Sequence, residues 1–383
     1  MLRYDKQIPV NPEVFRWLRE SSGWTYGDIS DKLEVSVNQV EDWEKGKKSP
    51  TIDNLKVLAK EYKRPLAAFL LSNPGEKQTL PTDYRKLPDG SYSLSKKSLF
   101  AIRKARNMQT ESSELMENLH QSVEPDVEFV SLKDDPELVS SNEREKMNIT
   151  LEVQRKWRTP YDAFNGLREI IEHQNILVFQ LSADLDDFRG FTLMDTRPFA
   201  IVVNSSDIIQ ARLFSLLHEY AHILLNKPAM CIPHEGEIGI AGKGERERTE
   251  AWCNRFAASF LLPTNVIEAD FSTFGMENYG KIAGRYKVSL STTLTRLVSL
   301  GLISQTEYRF EINKLQAAES NGEDESKNGG MGETSATKAR REKGDSFVSL
   351  VLENSQAGYI TSSEALNYLD VKTRHMKELT ESK

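Results

Sequence analysis

Between residues 9 and 72 the apolar positions come in short bursts, three and four apart. Phe15, Trp17 and Leu18 form the first, Ile29 and Leu33 the second, and Val40 and Trp43 the third. Ile52, Leu55, Leu58 and Ala59 form a fourth, and Leu66, Ala67, Phe69 and Leu70 a fifth. That spacing is one stripe of an α-helix, so the pattern predicts five short helices. Ser36 stands where a helix N-cap is wanted, and Gly46 and Pro50 interrupt the chain after the third burst. Residues 73–95 are rich in Pro, Gly, Ser and Asp and read as a connector. Leu94 to Leu119 returns to helical spacing, residues 121–142 are acidic and irregular, and two further helices are expected over 149–157 and 161–173. The pattern then shortens. Ile176–Gln180, Gly190–Met194 and Phe199–Val203 are β-branched or aromatic runs, and Asp195-Thr-Arg-Pro between the last two is turn-like. They predict a small sheet, antiparallel, laid against the helix that follows.

That helix is the most apolar stretch of the chain. Leu213, Phe214, Leu216, Leu217, Ile223 and Leu224 surround His218, Glu219 and His222, which spell H-E-x-x-H. Residues four apart on a helix share a face, so both imidazoles point the same way and can hold one metal ion. Glu219 is beside the first of them, within reach of a water at that ion. Three ionisable groups inside an apolar helix are costly unless something pairs with them, and a divalent ion would. A catalytic site needs a third protein ligand and an open fourth position. Residues 247–263 supply a second helix, with Phe256, Ala257, Phe260 and Leu261 at helical spacing, Pro263 as its stop and Glu250 on its first turn. Glu245 and Glu247 are alternatives to Glu250, because a single sequence can slip by a turn. Two histidines and a carboxylate suit zinc or manganese.

Composition limits the remaining possibilities. A chain of 383 residues with 38% hydrophobic content predicts two or three domains. No apolar run reaches membrane-spanning length, and Met1–Pro9 lacks the apolar core of a signal peptide. Two cysteines, Cys231 and Cys253, support no disulfide framework, so a reduced cytoplasmic setting is expected. A formal net charge of −7 argues against a nucleic-acid coat, though not against one local DNA-binding module.

Several of these segments, taken in order, resemble the ImmA/IrrE metallopeptidases. The resemblance is carried by Arg197-Pro-Phe-Ala-Ile-Val-Val-Asn204, Arg212-Leu-Phe214 leading into His218-Glu219-x-x-His222, Glu250-x-x-x-Asn254-x-Phe256-Ala257 and Leu261-Leu-Pro263. It spans about residues 80–315 and implies a zincin-like fold, Glu250 as third ligand, Glu219 as catalytic base and a protein substrate. In such enzymes that substrate is often a transcriptional repressor, cleaved to release stress or mobile-element genes. The N-terminal segment resembles the Xre/Cro-type helix-turn-helix domain of phage repressors, chiefly at Trp43-Glu-Lys-Gly-Lys-Lys-Ser-Pro50. In that layout Val37, Asn38, Gln39 and Asp42 would face the major groove and Lys45, Lys47 and Lys48 the phosphates. Two departures are Glu34 at the turn, where glycine is usual, and Tyr26, where glutamine is usual. Residues 1–72 carry twelve basic and eleven acidic side chains, a weak balance for a DNA-binding face.

The expected fold is therefore α+β and mainly helical. A five-helix helix-turn-helix domain at 9–72 and a connector at 73–95 precede a metallopeptidase domain at 96–315, which has a small sheet and a helical C-terminal part. A disordered linker at 316–345 and a small helical segment at 346–383 follow. The expected function is an intracellular metal-dependent endopeptidase, with a repressor as substrate and DNA as partner of the N-terminal domain. The rival expectation is an Xre-type regulator whose metal domain is sensory or structural. Between the two metal-site segments, Cys231 and His234 form a C-x-x-H pair with no further ligands evident, and His234 is a candidate for polarising a substrate carbonyl. A second helix-turn-helix pattern at 278–303 carries Arg285, Lys287 and Arg296, read as structural support or protein docking, with a second DNA contact as the alternative.

Overall fold

A computed structural model describes residues 6–75, 94–228, 230–231, 244–320, 333–375 and 378–379. The chain divides into two units, one built from residues 1–80 and 87–104, the other from residues 81–86 and 105–383.

In the first unit the first four helices start on polar caps. The side chains of Asn11, Thr25, Ser36 and Thr51 accept hydrogen bonds from backbone N–H groups in the first turns of α1 (Pro12–Ser21), α2 (Tyr26–Leu33), α3 (Val37–Glu44) and α4 (Ile52–Glu61). The fifth helical segment, Leu66–Leu70, is a 3₁₀ helix. Its Phe69 joins Val14, Phe15, Leu18, Ile29 and Trp43 in the core. Glu34 ends α2 in the left-handed conformation, at φ 56° and ψ 42°. A long helix, α5 (Lys96–Asn118), passes from this unit into the next, so its first turns belong to the N-terminal unit and not to the peptidase segment expected to start at residue 96.

After α5 comes α6 (Pro136–Lys146), in a stretch expected to be largely irregular. Asp135 caps it and Pro136 occupies its first position, both good helix-start chemistry that its high charge obscured. Next come α7 (Leu151–Lys156) and α8 (Pro160–Glu172). The sheet has β1 (Ile176–Leu181), β2 (Gly190–Leu193), β3 (Phe199–Asn204) and β4 (Met230–Cys231), in the order β1-β3-β2-β4. The sheet is mixed rather than antiparallel. β2 and β3 form a hairpin and β4 runs antiparallel to β2, but β1 lies parallel to β3, with Val178 opposite Ile201. β2 itself carries the chain back and the hairpin then reverses it again, so β1 and β3 point the same way. The segment between β1 and β2 is held by buried Asn204, which accepts from the Ala183 N–H and donates to the Phe188 carbonyl.

α9 (Ile209–Leu224) packs on this sheet, and α10 (Glu245–Leu261) packs against both α9 and α6. Then follow α11 (Thr264–Phe274), α12 (Tyr279–Tyr286), α13 (Leu290–Ser299) and α14 (Gln305–Ser320). The last helices are α15 (Ser335–Lys343), α16 (Asp345–Ala357) and α17 (Ser362–Leu369). The linker expected over 316–345 is helical at both ends. Within the described residues α14 runs to Ser320 and α15 begins at Ser335, while residues 321–332 lie outside them. Composition misled because α15 buries only Ala336, Ala339 and the stem of Lys343, whose ammonium meets Asp370 at 2.9 Å. α15 packs on β1, and Phe347 of α16 meets Phe179 edge-on at 6.1 Å. Arg296 is not a surface base: it is buried against Glu137, and Arg285 pairs with Asp270 at 2.5 Å.

Candidate metal centre

The N-terminal end of α9 is tied to the sheet by Arg212, which donates to the Asp207 carbonyl at 2.7 Å and to Gln180 at 3.2 Å. Leu213, Leu216, Leu217, Ile223 and Leu224 then bury the helix in the core. Its remaining face turns His218 and His222 toward α10. α10 is fixed at its far end, where Pro263 stops it and leaves carbonyls without intrahelical partners. Three buried side chains satisfy them. Arg144 donates to the Phe260 carbonyl at 2.6 Å, Gln154 to Leu261 at 2.8 Å and Arg296 to Leu262 at 2.9 Å. Two rigid helices, each anchored to separate elements, thus bring their polar groups to one point.

At that point His218 Nε2 lies 3.1 Å from His222 Nε2 and 3.1 Å from Glu250 Oε2, and His222 Nε2 is 3.3 Å from Glu250 Oε1. Among the described residues these three form a group whose donor atoms all lie within 4.8 Å of one another. A tetrahedral ion with ligands at about 2.0–2.2 Å would hold its donors roughly 3.4 Å apart, so the triangle fits such an ion with shifts of a few tenths of an ångström. The chemistry fits as well, since two imidazoles and a carboxylate are a donor set for zinc or manganese. Burial by itself would push the Glu250 carboxyl up. The charge of His222, with hydrogen bonds from His218 and His222, outweighs burial and holds it well below the usual carboxylate range. It is therefore an anion in the core. The two alternatives are elsewhere: Glu245 is exposed and pairs with Lys227, and Glu247 is exposed, its carboxylate folded over Gly244.

Glu219 has no solvent exposure, and its carboxylate is outside the donor triangle. It packs against β2. A Cβ built on Gly190 would stand 2.8 Å from Glu219 Oε1 and 3.1 Å from its Cγ. Nothing in the sequence pointed to Gly190, since a glycine opening a short strand is ordinary. Phe214, one turn before His218, holds its ring 6.2 Å from that imidazole. Cys253, one turn beyond Glu250, is fully buried, and burial pushes its thiol up. The Cys231 side chain and His234 of the C-x-x-H pair lie outside the described residues.

In the N-terminal unit, Val37 and Asn38 are exposed and Gln39 half-buried on the first turn of α3. Lys45, Lys47 and Lys48 are exposed just beyond it. Lys45 pairs with Glu41 at 2.6 Å and Lys48 with Asp42 at 3.1 Å. Glu44, on the same helix, is buried. Arg19 reaches it at 2.6 Å and the Tyr26 hydroxyl at 2.9 Å, with Arg19 also lying over the Tyr26 ring.

Residues 171–298 match the family model for peptidase M78, described as the IrrE N-terminal-like domain, and residues 15–69 match a helix-turn-helix model. The chain fuses a helix-turn-helix region to an IrrE-like metallopeptidase region. No curated protein matches it. The peptidase match contains the whole donor triangle together with Glu219 and Gly190, and the helix-turn-helix match contains α2, α3 and α4. Among the described residues no helix is long and apolar enough to cross a membrane.

Proposed function

We propose that the chain is a metal-dependent endopeptidase that cleaves a protein, of which a helix-turn-helix repressor is the favoured kind. The observation that carries this reading is the meeting of His218, His222 and Glu250 on two anchored helices, with buried Glu219 next to His218 in the chain. In this reading the three hold zinc or manganese. A bound ion would supply Lewis-acid polarisation of the scissile carbonyl and would lower the pKa of water toward about 7. Glu219 accepts the proton of the attacking water on its carboxylate and later delivers it to the leaving amine. Its burial keeps bulk water from competing for that proton. Glu250 would hold the ion as a carboxylate, a form that a bound cation favours. The N-terminal unit brings the enzyme to its target, through DNA at an operator or through the repressor itself.

Metal analysis of the full chain beside His218→Ala and Glu250→Ala tests the ligand set: one ion per wild-type chain and a loss of at least about tenfold in affinity in each variant. Glu219→Gln should keep the ion and lose cleavage of a cognate repressor. Cutting at the wild-type rate would remove Glu219 from the base role.

A second reading, an Xre-type regulator with a sensory or structural metal region, draws on the exposed Val37, Asn38 and Lys47 of the N-terminal unit. A gel shift on the upstream region of the gene distinguishes the two. Binding with Glu219→Gln indistinguishable from wild type in regulation would favour the regulator.

A further inference from the structure

We infer that Gly190 is a positioning residue, and that the missing side chain at this point of β2 holds the Glu219 carboxylate where it works. The inference rests on the reading of Glu219 given above and adds the element that fixes it.

The geometry makes Gly190 and Glu219 compete for one volume. A methyl at Gly190 would approach Glu219 Oε1 to 2.8 Å, Glu219 Cγ to 3.1 Å and the Val202 carbonyl oxygen to 3.1 Å. Contacts under about 3.0 Å do not survive, so something must move. The strand has little freedom to do so. Gly190 is paired with Val203 of β3 on one side and Cys231 of β4 on the other. The far end of β2 is gripped by buried Gln109, whose Nε2 donates to the carbonyls of Leu193 at 3.3 Å, Thr196 at 3.2 Å and Pro198 at 2.9 Å. α9 cannot yield either, as it is buried along its length and tied at its start by Arg212. The movable part is the end of the Glu219 side chain, which turns about its own bonds at lower cost than a backbone shift. The substitution therefore expels the carboxylate and leaves the three donor groups in place. Gly190 acts through Glu219 and touches none of the reacting atoms itself.

The test uses the full chain loaded with cobalt and acetohydroxamate as the probe, read from the visible absorption of the ion, so no peptide substrate is needed. Gly190→Ala should keep cobalt affinity within about threefold of wild type. It should weaken acetohydroxamate about tenfold or more, the loss of one charged hydrogen bond and the same loss as Glu219→Gln. Combining the two substitutions should cost nothing further, because both remove one interaction. A purely structural defect would instead add to Glu219→Gln. Acetohydroxamate binding at wild-type strength in Gly190→Ala would overturn the inference, and so would loss of cobalt, which would mean that the strand had moved. If Gly190→Ala alone does not fold, Gly190→Ala with Glu219→Ala must, since the space is then free. Failure of that pair would place the obstruction at the Val202 carbonyl and overturn the assignment. A wild-type chain that takes up no cobalt would sink the metal reading first, and this inference with it.

Discussion

Replacing Arg296 with Met should destabilise the second unit by about 3 kcal/mol. The guanidinium is 1% exposed. It meets Glu137 through two parallel bonds of 2.5 and 2.7 Å, Thr264 Oγ1 at 2.8 Å and the Leu262 carbonyl at 2.9 Å. It thereby joins α13 to α6 and to the end of α10. Methionine keeps most of the apolar stem, so packing loss is small and the charge is what is removed. Breaking a buried ion pair by deleting one partner costs about 3–5 kcal/mol. Glu137 is 22% exposed and Arg255 stands 3.4 Å away, so water and that cation recover part of the loss and the low end applies. For a unit of this size 3 kcal/mol corresponds to a fall in Tm of roughly 6 °C. Calorimetry on the full chain should show that fall in one transition, while the transition of the N-terminal unit stays where it was. Arg296→Lys should fall in between, because a point charge cannot reproduce the fork. A fall of less than about 2 °C would mean that Arg296 behaves like a surface residue, whose substitution rarely exceeds about 0.5 kcal/mol, and that the account of how α10 is anchored is wrong.

Three further outcomes are expected. Glu34→Gly should stabilise the N-terminal unit by up to about 1 kcal/mol in chemical denaturation, since a left-handed residue with a Cβ costs about 1–2 kcal/mol and the added chain entropy takes back part of it; a loss of stability would contradict this. Asp28 is hydrogen-bonded by Lys96 and by the Thr25 N–H, which lower its carboxyl to about 2 from an ordinary 3.8. A carboxyl depressed on folding stabilises above its unfolded value and ceases to do so as pH falls, so Asp28→Asn should flatten the pH dependence of that unit between about pH 4 and 2. Zinc at a hundredfold its Kd should raise the stability of the second unit by about 2.7 kcal/mol, a gain that chelator reverses and that Glu250→Ala lacks; an equal response in the variant would remove Glu250 from the ligand set.

The site was more legible in the sequence than its supports. His218, Glu219 and His222 declare themselves because helical periodicity fixes which residues share a face, and three ionisable groups in an apolar run demand a reason. Glu250 could be narrowed only to one of three acids; in the structure it is the buried one and lies against both imidazoles, while Glu245 and Glu247 are exposed. What pattern reading missed depends on tertiary contact. Arg144 and Arg296 look like surface bases until the carbonyls at the end of α10 are seen to need donors. The parallel β1–β3 pair needs the path of the chain between strands, and period-two alternation says nothing of it because both strands are buried on both faces. α15 was lost because a helix that contributes two alanines to the core has almost no apolar stripe.

The charge on α3 is likewise not legible in sequence, and its arrangement has a measurable consequence. Glu41, Asp42 and Glu44 look in sequence like three carboxylates repelling phosphate. Glu44 is instead buried and bonded by Arg19 and Tyr26, so its charge is spent inside the unit, and Tyr26, unusual at its position, is part of what holds it. Glu41 and Asp42 occupy Lys45 and Lys48, in exposed pairs worth less than about 1 kcal/mol each and exchangeable for phosphate. Lys47 enters no ion pair among the described residues. α3 and the turn after it therefore offer DNA at most three cations, two of them only after exchange. If this unit binds DNA, each phosphate contact contributes about −0.9 to the slope of log K against log salt, so the slope should be no steeper than roughly −3. Lys47→Ala should make it shallower by about 1. Titration of a labelled duplex from low to moderate salt measures both. A slope near −6 would require cations that α3 does not carry, and the groove-facing assignment of Val37, Asn38, Gln39 and Asp42 would then have to give way to another face of the unit.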